Sequence, residues 1–276
     1  METQGKFVLM TLSEFEGYIN SLDISGFRKI TQIQIHHTWS PSYRNFNGRN
    51  HFAKLTSMEA YHIANGFGQI GQHYTTFPDG TIAVCRNLAL APACIAKHNT
   101  GDICIENLGN FDIHGDTMSL EHRKTILHLN ALLCRKFQLK INTDTIIYHH
   151  WFRQSDGFRD NALGKHDLPD HKTCPGTNFF GGNTVAEAAV NFIPGIQQAY
   201  DRYALQTSVN QPVVVQRGIV HANVLNVRRG PGIEFDVVRK LNRDEVVSIL
   251  ETNDEWDRIG ENQWVKADYI ALTRAG

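Results

Sequence analysis

Two segments constrain the architecture of this chain more than any other feature. ITQIQIHH (30–37) alternates polar and β-branched residues and ends in His36 and His37, the pattern of a strand that delivers polar groups at its tip. TDTIIYHHWF (143–152) repeats the form and ends in His149 and His150. Between them DICIENLGNF (102–111) has the β-branched run of a buried strand, and HYTTFPDGTIAVCR (73–86) reads as two strands joined by a Pro-Asp-Gly turn. Helical spacing occurs in SLEHRKTILHLNALLCRKF (119–137), where Ser119 can cap and Arg123, Lys124, Arg135 and Lys136 fall on the polar side. SMEAYHIANGF (57–67) reads as a helix starting at a serine cap and stopping at glycine, and AEAAVNFIPGIQQAYDRYAL (186–205) as a closing helix interrupted by Pro194. Strands and helices interleaved in this order imply an α/β domain, a mixed sheet with flanking helices.

From about Thr207 the pattern changes. SVNQPVVVQ is polar and proline-bearing, and beyond it short strands with frequent turn signals replace the helical period. The expected organisation is one large domain over 1–206, a linker over 207–216 and a small all-β module over 217–276.

Histidine is the compositional outlier, with 14 residues in a chain of 276. Imidazole is the commonest metal ligand. The two histidine pairs and HKTCPG (171–176) bring imidazole and thiolate from three places, which matches the three protein ligands of a catalytic zinc site with a position left for water. Each of these residues alone reads as a locally hydrogen-bonded histidine or a packed thiol; jointly they point to a metal. Five cysteines, Cys85, Cys94, Cys104, Cys134 and Cys174, are spread without CxxC spacing. Their odd number makes reduced thiols the expectation. Lysine and arginine number 27 against 28 acids, so no global charge draws the chain to nucleic acid or anionic lipid. The N-terminal stretch METQGKFVLMTLSEFEGYINSLD carries acids through its apolar part, so neither a signal peptide nor a membrane span is expected there.

IQIHHTWSPS, GQHYTTFPDGTIAVCR, ICIENLGNFD, IIYHHW and HKTCPGTNFF together resemble the zinc amidase family that includes phage amidase-type lysozymes, animal peptidoglycan recognition proteins and bacterial anhydromuropeptide amidases. The likeness covers roughly residues 28 to 200. It implies an N-acetylmuramoyl-L-alanine amidase with Zn2+ as cofactor. The implied ligands are His36, first of its HHT motif; His149, aligned with the histidine of a GHR-like motif; and Cys174 of the CPG motif. His149 is preferred to His150 on that alignment and because alternate strand residues face opposite ways. Lys172, two residues before Cys174, resembles the family's catalytic lysine. Many relatives place a tyrosine where Gln72 stands, and glutamine cannot act as a general base. The anhydromuropeptide branch instead has a glutamate in an IxIE strand, which corresponds to Glu106. His37, Trp39, Gln72 and His73, within or beside these motifs, are the expected substrate contacts.

Residues 218–272, with LNVRRGPG and the spaced tryptophans Trp256 and Trp264, resemble the bacterial SH3-like domain family. The expected module is a small barrel with both tryptophans packed in its core, holding the enzyme near its polymer. The expected partner is peptidoglycan or muropeptide, with neither nucleic acid nor membrane involved; oligomeric state is left open. Without a leader, action would follow lysis or non-classical export, or fall on muropeptides in the cytoplasm. The competing readings are a non-catalytic peptidoglycan receptor and a zinc wall endopeptidase.

Overall fold

The computed structural model of the chain describes residues 1–209, 216–253 and 255–273. It divides into two compact units, Met1–Tyr203 and Ala204–Gly276.

The first unit is built on a seven-stranded mixed sheet. Its strands are β1 (Glu2–Gln4), β2 (Phe7–Met10), β3 (Gln32–His37), β4 (Tyr74–Thr76), β5 (Ile82–Val84), β6 (Asp102–Asn107) and β7 (Ile146–Tyr148), in the order β1-β2-β5-β4-β6-β3-β7. β4, β6, β3 and β7 run parallel, and β5, β2 and β1 extend the sheet antiparallel. The helices are α1 (Leu12–Ser21), α2 (His51–Ala64), α3 (Leu120–Phe137), the single turn α4 (Val185–Glu187) and α5 (Ile193–Val209). A large core of Phe15, Ile19, Ile33, Ile105, Leu129 and Phe192 joins α1, α3 and the closing helical run to the sheet. A smaller core, including Leu55, Met58 and Phe77, lies under α2. α1 is set by a Thr11–Glu14 capping box and buries Phe15 and Ile19, one turn apart. α3 starts where the Ser119 side chain accepts the His122 N–H and ends at Gln138 in the left-handed region, φ 54°.

Several local expectations are corrected. α2 begins at His51, so Ser57 is inside it; His51 and Leu55 continue its buried stripe toward the N-terminus. His149 and His150 leave the strand and form a 3₁₀ turn with Trp151. Pro194 does not break the closing helix. α4, a π turn over Ala188–Phe192 and α5 follow one another with helical backbone at each junction, and the π turn lies directly before Pro194, where a wider helical turn accommodates the residue that lacks an N–H. The N-terminal hairpin β1–β2 has no strong period in the sequence because β1 is exposed along its length. The cysteines are not all reduced: Cys94 and Cys104 form a disulfide, while Cys85, Cys134 and Cys174 are free and buried. Ten residues of separation carry no motif; the chain between β5 and β6 folds back and makes the pair.

In the second unit, β9 (Val224–Arg228), β10 (Val237–Asn242), β12 (Glu251–Asn253), β13 (Trp256–Gly260) and β14 (Gln263–Lys266) form one antiparallel sheet. β8 (Gln216–Val220), β11 (Val246–Ile249) and β15 (Ile270–Leu272) form another. Val220, Leu225, Val227, Leu241, Val247, Ile249, Val265 and Ile270 are its core. Trp256 and Trp264 are not among them. Both are half-buried, and the Lys266 ammonium sits 5.8 Å from the Trp256 ring centroid. Of the expected linker, 207–209 complete α5, 210–215 lie outside the described residues, and Gln216 opens β8.

Candidate metal and catalytic site

Ligands of open α/β sheets gather beyond the carboxyl ends of the parallel strands. That is where a cleft of about 1080 Å³ opens, lined by His36, His37, Glu106, His149, Lys172 and Cys174 among others. The parallel register explains part of the convergence: His36 lies opposite Glu106 and His37 opposite Asn107 at the ends of β3 and β6. Residues paired in this way point to the same face of the sheet. Asn107 is buried and donates its amide to the His36 carbonyl at 2.6 Å, which pins the strand end.

His149 is delivered by the 3₁₀ turn rather than by strand alternation. Its Nδ1 stands 3.1 Å from Nδ1 of His36. His150 points away and is fully buried, with Nδ1 2.6 Å from the Lys172 carbonyl and Nε2 2.6 Å from the Lys165 carbonyl. It therefore ties down the segment that carries Lys172 and Cys174. The backbone does the same, since the His150 N–H donates to the Cys174 carbonyl at 2.7 Å. Cys174 Sγ lies 3.5 Å from His36 Nδ1 and accepts the His37 N–H at 3.4 Å. Gly176 allows this packing: at φ +124° any Cβ would lie 2.4 Å from the Phe111 carbonyl.

These three ligand atoms lie within 4.8 Å of one another, and all three residues are buried. Tetrahedral zinc with ordinary bond lengths separates two nitrogens by about 3.3 Å and a nitrogen from a thiolate by about 3.6 Å. The 3.1 and 3.5 Å separations fit that donor set. The protonation states fit as well. Burial, then the charges of His149 and Lys172, holds His36 far below the usual imidazole range, and burial takes His149 down to about 3, so both keep a lone pair. Burial, then the neighbouring Glu106 charge, pushes the Cys174 thiol up; a cation held there would supply the opposite charge and favour the thiolate.

Behind His36 stand two residues that the sequence reading did not single out. Gln34 Oε1 faces His36 Nε2 at 3.2 Å, and the Gln34 amide nitrogen donates to Asp102 Oδ2 at 2.6 Å. The carboxylate orients the amide, the amide carbonyl holds the proton on Nε2, and Nδ1 is left bare toward His149 and Cys174. The alternation of ITQIQIHH, which puts Gln34 on the face of His36, was the signal that could have found it.

Glu106 lines the same cleft, and burial pushes its carboxyl up to about 7 against the lowering pull of Lys172. Lys172 is exposed at the cleft wall, and its charge acts on His36, His37 and His149 as well. His37 is buried at the cleft and accepts the Phe111 N–H on Nδ1 at 3.2 Å. Trp39 is 61% exposed at the rim, held in the left-handed region at φ 55° by a bond from its N–H to the Gly109 carbonyl. Gln72 and His73 are corrected: both are fully buried and neither lines the cleft. Gln72 donates to Thr75 Oγ1, while His73 accepts the Cys104 N–H and meets the Leu90 carbonyl. The GQHY segment runs into β4 beneath the surface, where its polar groups serve backbone and neighbouring side chains.

Residues 26–177 match the family model described as N-acetylmuramoyl-L-alanine amidase, and residues 223–271 the one described as bacterial SH3 domain. No curated protein matches the chain. Among solved structures, the N-acetylmuramoyl-L-alanine amidase LysC from Clostridium intestinale URNW is similar at 19% identity, over 55% of this chain and 80% of that one, with a TM-score of 0.40. Drosophila PGRP-LB is similar at 18% identity, over 59% and 82%, with a TM-score of 0.44. Drosophila Peptidoglycan Recognition Protein (PGRP)-SA is similar at 21% identity, over 58% and 78%, with a TM-score of 0.40.

Proposed function

The protein belongs to the N-acetylmuramoyl-L-alanine amidase family, whose model matches more than half of the chain, and we propose that it is a zinc-dependent hydrolase of the amide between N-acetylmuramic acid and L-alanine in peptidoglycan. The observation that carries this reading is the meeting of His36, His149 and Cys174 beside Glu106 and Lys172 in one cleft. His36, His149 and Cys174 would hold the ion. The chemistry it supplies when bound is a lowered water pKa and polarisation of a carbonyl oxygen.

The remaining steps fall to side chains of the cleft. Glu106 takes a proton from the attacking water and passes it to the departing L-alanine nitrogen, a task suited to a carboxyl raised toward neutrality. The Lys172 ammonium faces the oxyanion that forms on the lactyl carbonyl. Water adds its hydroxyl to the acyl carbon and its proton to the amine, so the products are a free lactyl carboxylate and a free peptide amino group. Gln72 has no part in proton transfer, being buried away from the cleft. Trp39 and His37 line the bed on which sugar and peptide lie.

Mass analysis of purified wall after incubation is expected to show peptides with new L-alanine amino ends, a yield abolished by a chelator and restored by zinc. New amino ends at other residues would establish an endopeptidase instead. Binding of muropeptide with no amine released would establish a receptor.

The second unit is proposed to hold the enzyme on its polymer. Because α5 runs to Val209, the catalytic unit is best cut after that residue rather than at 206. The 1–209 protein is expected to match the full chain on soluble muropeptides and to release amine from intact sacculi several-fold more slowly. Equal rates on sacculi would remove the tethering role. Among the described residues no helix is long and apolar enough to cross a membrane.

A further inference from the structure

The floor of the cleft carries a second convergence of ligand atoms. Alternation along β6 puts Cys104 and Glu106 on one face, and the parallel register sets them beside Gln34 and His36. Cys104 is buried, whereas its disulfide partner Cys94 is half-buried and lines the cleft. Both sulfurs lie within 4.8 Å of a ring nitrogen of His36. While bonded to each other they are poor ligands, since metal affinity belongs to the thiolate.

The segment bearing Cys94 is held in place independently of the disulfide. Asn99 Oδ1 accepts the N–H groups of Cys94 and Ile95 at 3.0 and 3.2 Å. Ala93 N–H donates to the Gly71 carbonyl at 3.1 Å, and the approach is so close that a Cβ on Gly71 would lie 2.6 Å from the Ala93 oxygen. Gln34 donates a further bond to the His98 carbonyl. Breaking the disulfide therefore leaves Cys94 facing Cys104 and His36.

We propose that reduction of Cys94–Cys104 creates a second site for a divalent thiophilic metal, made of His36, Cys94 and Cys104, which competes with His149 and Cys174 for the same imidazole. A dithiol reductant attacks the accessible Cys94 sulfur, and Cys104 leaves as thiolate and takes a proton. The second thiol of the reductant then closes to its own disulfide and frees Cys94, so two electrons and two protons pass to the protein. Binding of the metal expels both thiol protons. Two sulfurs and one imidazole form a set of the type that holds zinc with a position open to water. The disulfide form is the one that leaves His36 to His149 and Cys174. The oxidation state of this pair thus decides which partners His36 shares a metal with.

The test uses the full chain carrying Cys174→Ser, loaded with cobalt(II), which reports each bound thiolate by a near-ultraviolet charge-transfer band. With the disulfide intact no such band is expected. After reduction, removal of the reductant and a thiol count showing two new sulfhydryls, a two-thiolate band is expected, and it disappears in Cys94→Ser/Cys174→Ser. Absence of the band in the reduced variant overturns the proposal, as does a band of undiminished two-thiolate intensity in Cys94→Ser/Cys174→Ser, where at most the single thiolate of Cys104 is left. The hydrolytic ligand set is read separately, from the single-thiolate band of the oxidised wild type, so either assignment can fail alone.

Discussion

Glu106→Gln is expected to lower amide turnover by about 10²–10⁴-fold while the protein keeps its zinc and its fold. Glutamine preserves the size and hydrogen-bonding reach of the side chain, which stands opposite His36 in the sheet and lines the cleft, but cannot accept a proton. Lys172→Ala, at an exposed position, is expected to cost on the order of 10²–10³-fold, the usual effect of removing one oxyanion donor. Muropeptide affinity should change far less than turnover in both if, as proposed, both groups act on charge that develops in the transition state. Amine release under saturating substrate, with zinc measured on the same samples, checks this. Near-native turnover in Glu106→Gln with its metal in place would move the proton shuttle to another group of the cleft, with His37 the first to examine.

The second large effect separates two adjacent histidines. His149→Ala removes an imidazole 3.1 Å from His36 and is expected to weaken zinc retention by more than the ~10–100-fold typical of losing an outer hydrogen-bond partner; Cys174→Ala should do the same. His150→Ala leaves all three donors in place. It removes two part-buried hydrogen bonds to the Lys165 and Lys172 carbonyls, so the expected loss is of thermal stability, about 0.5–1.5 kcal/mol per bond. Metal analysis and thermal melts of the three variants settle the matter. Full zinc in His149→Ala with none in His150→Ala would reverse the assignment. Loss of zinc is itself expected to lower the melting temperature, since an ion bound only by the folded site stabilises that state.

Local periodicity is what the sequence by itself determined. Alternation in ITQIQIHH, the β-branched run of DICIEN and the capped period of 119–137 each depend on neighbours within a few residues, and they announced a mixed sheet with flanking helices, as the turn-spaced short strands after Thr207 announced the all-β second unit. The same short-range logic marked the two histidine pairs and the Cys174 segment as places to look for a metal; the choice of His149, and the roles given to Glu106 and Lys172, came from the family resemblance. Packing between distant segments was decided by the tertiary structure alone. His36 meets Cys174 across 138 residues of chain, and His149 turns toward them because a 3₁₀ turn, not strand alternation, sets its direction. Gln72 and His73 carry motif positions yet are buried, since the start of β4 runs beneath other chain. The Cys94–Cys104 pair and the Gln34–Asp102 relay have no spacing to betray them. Each exists only because parallel register and a folded-back loop bring side chains together, and register is a property of paired strands rather than of either strand's sequence.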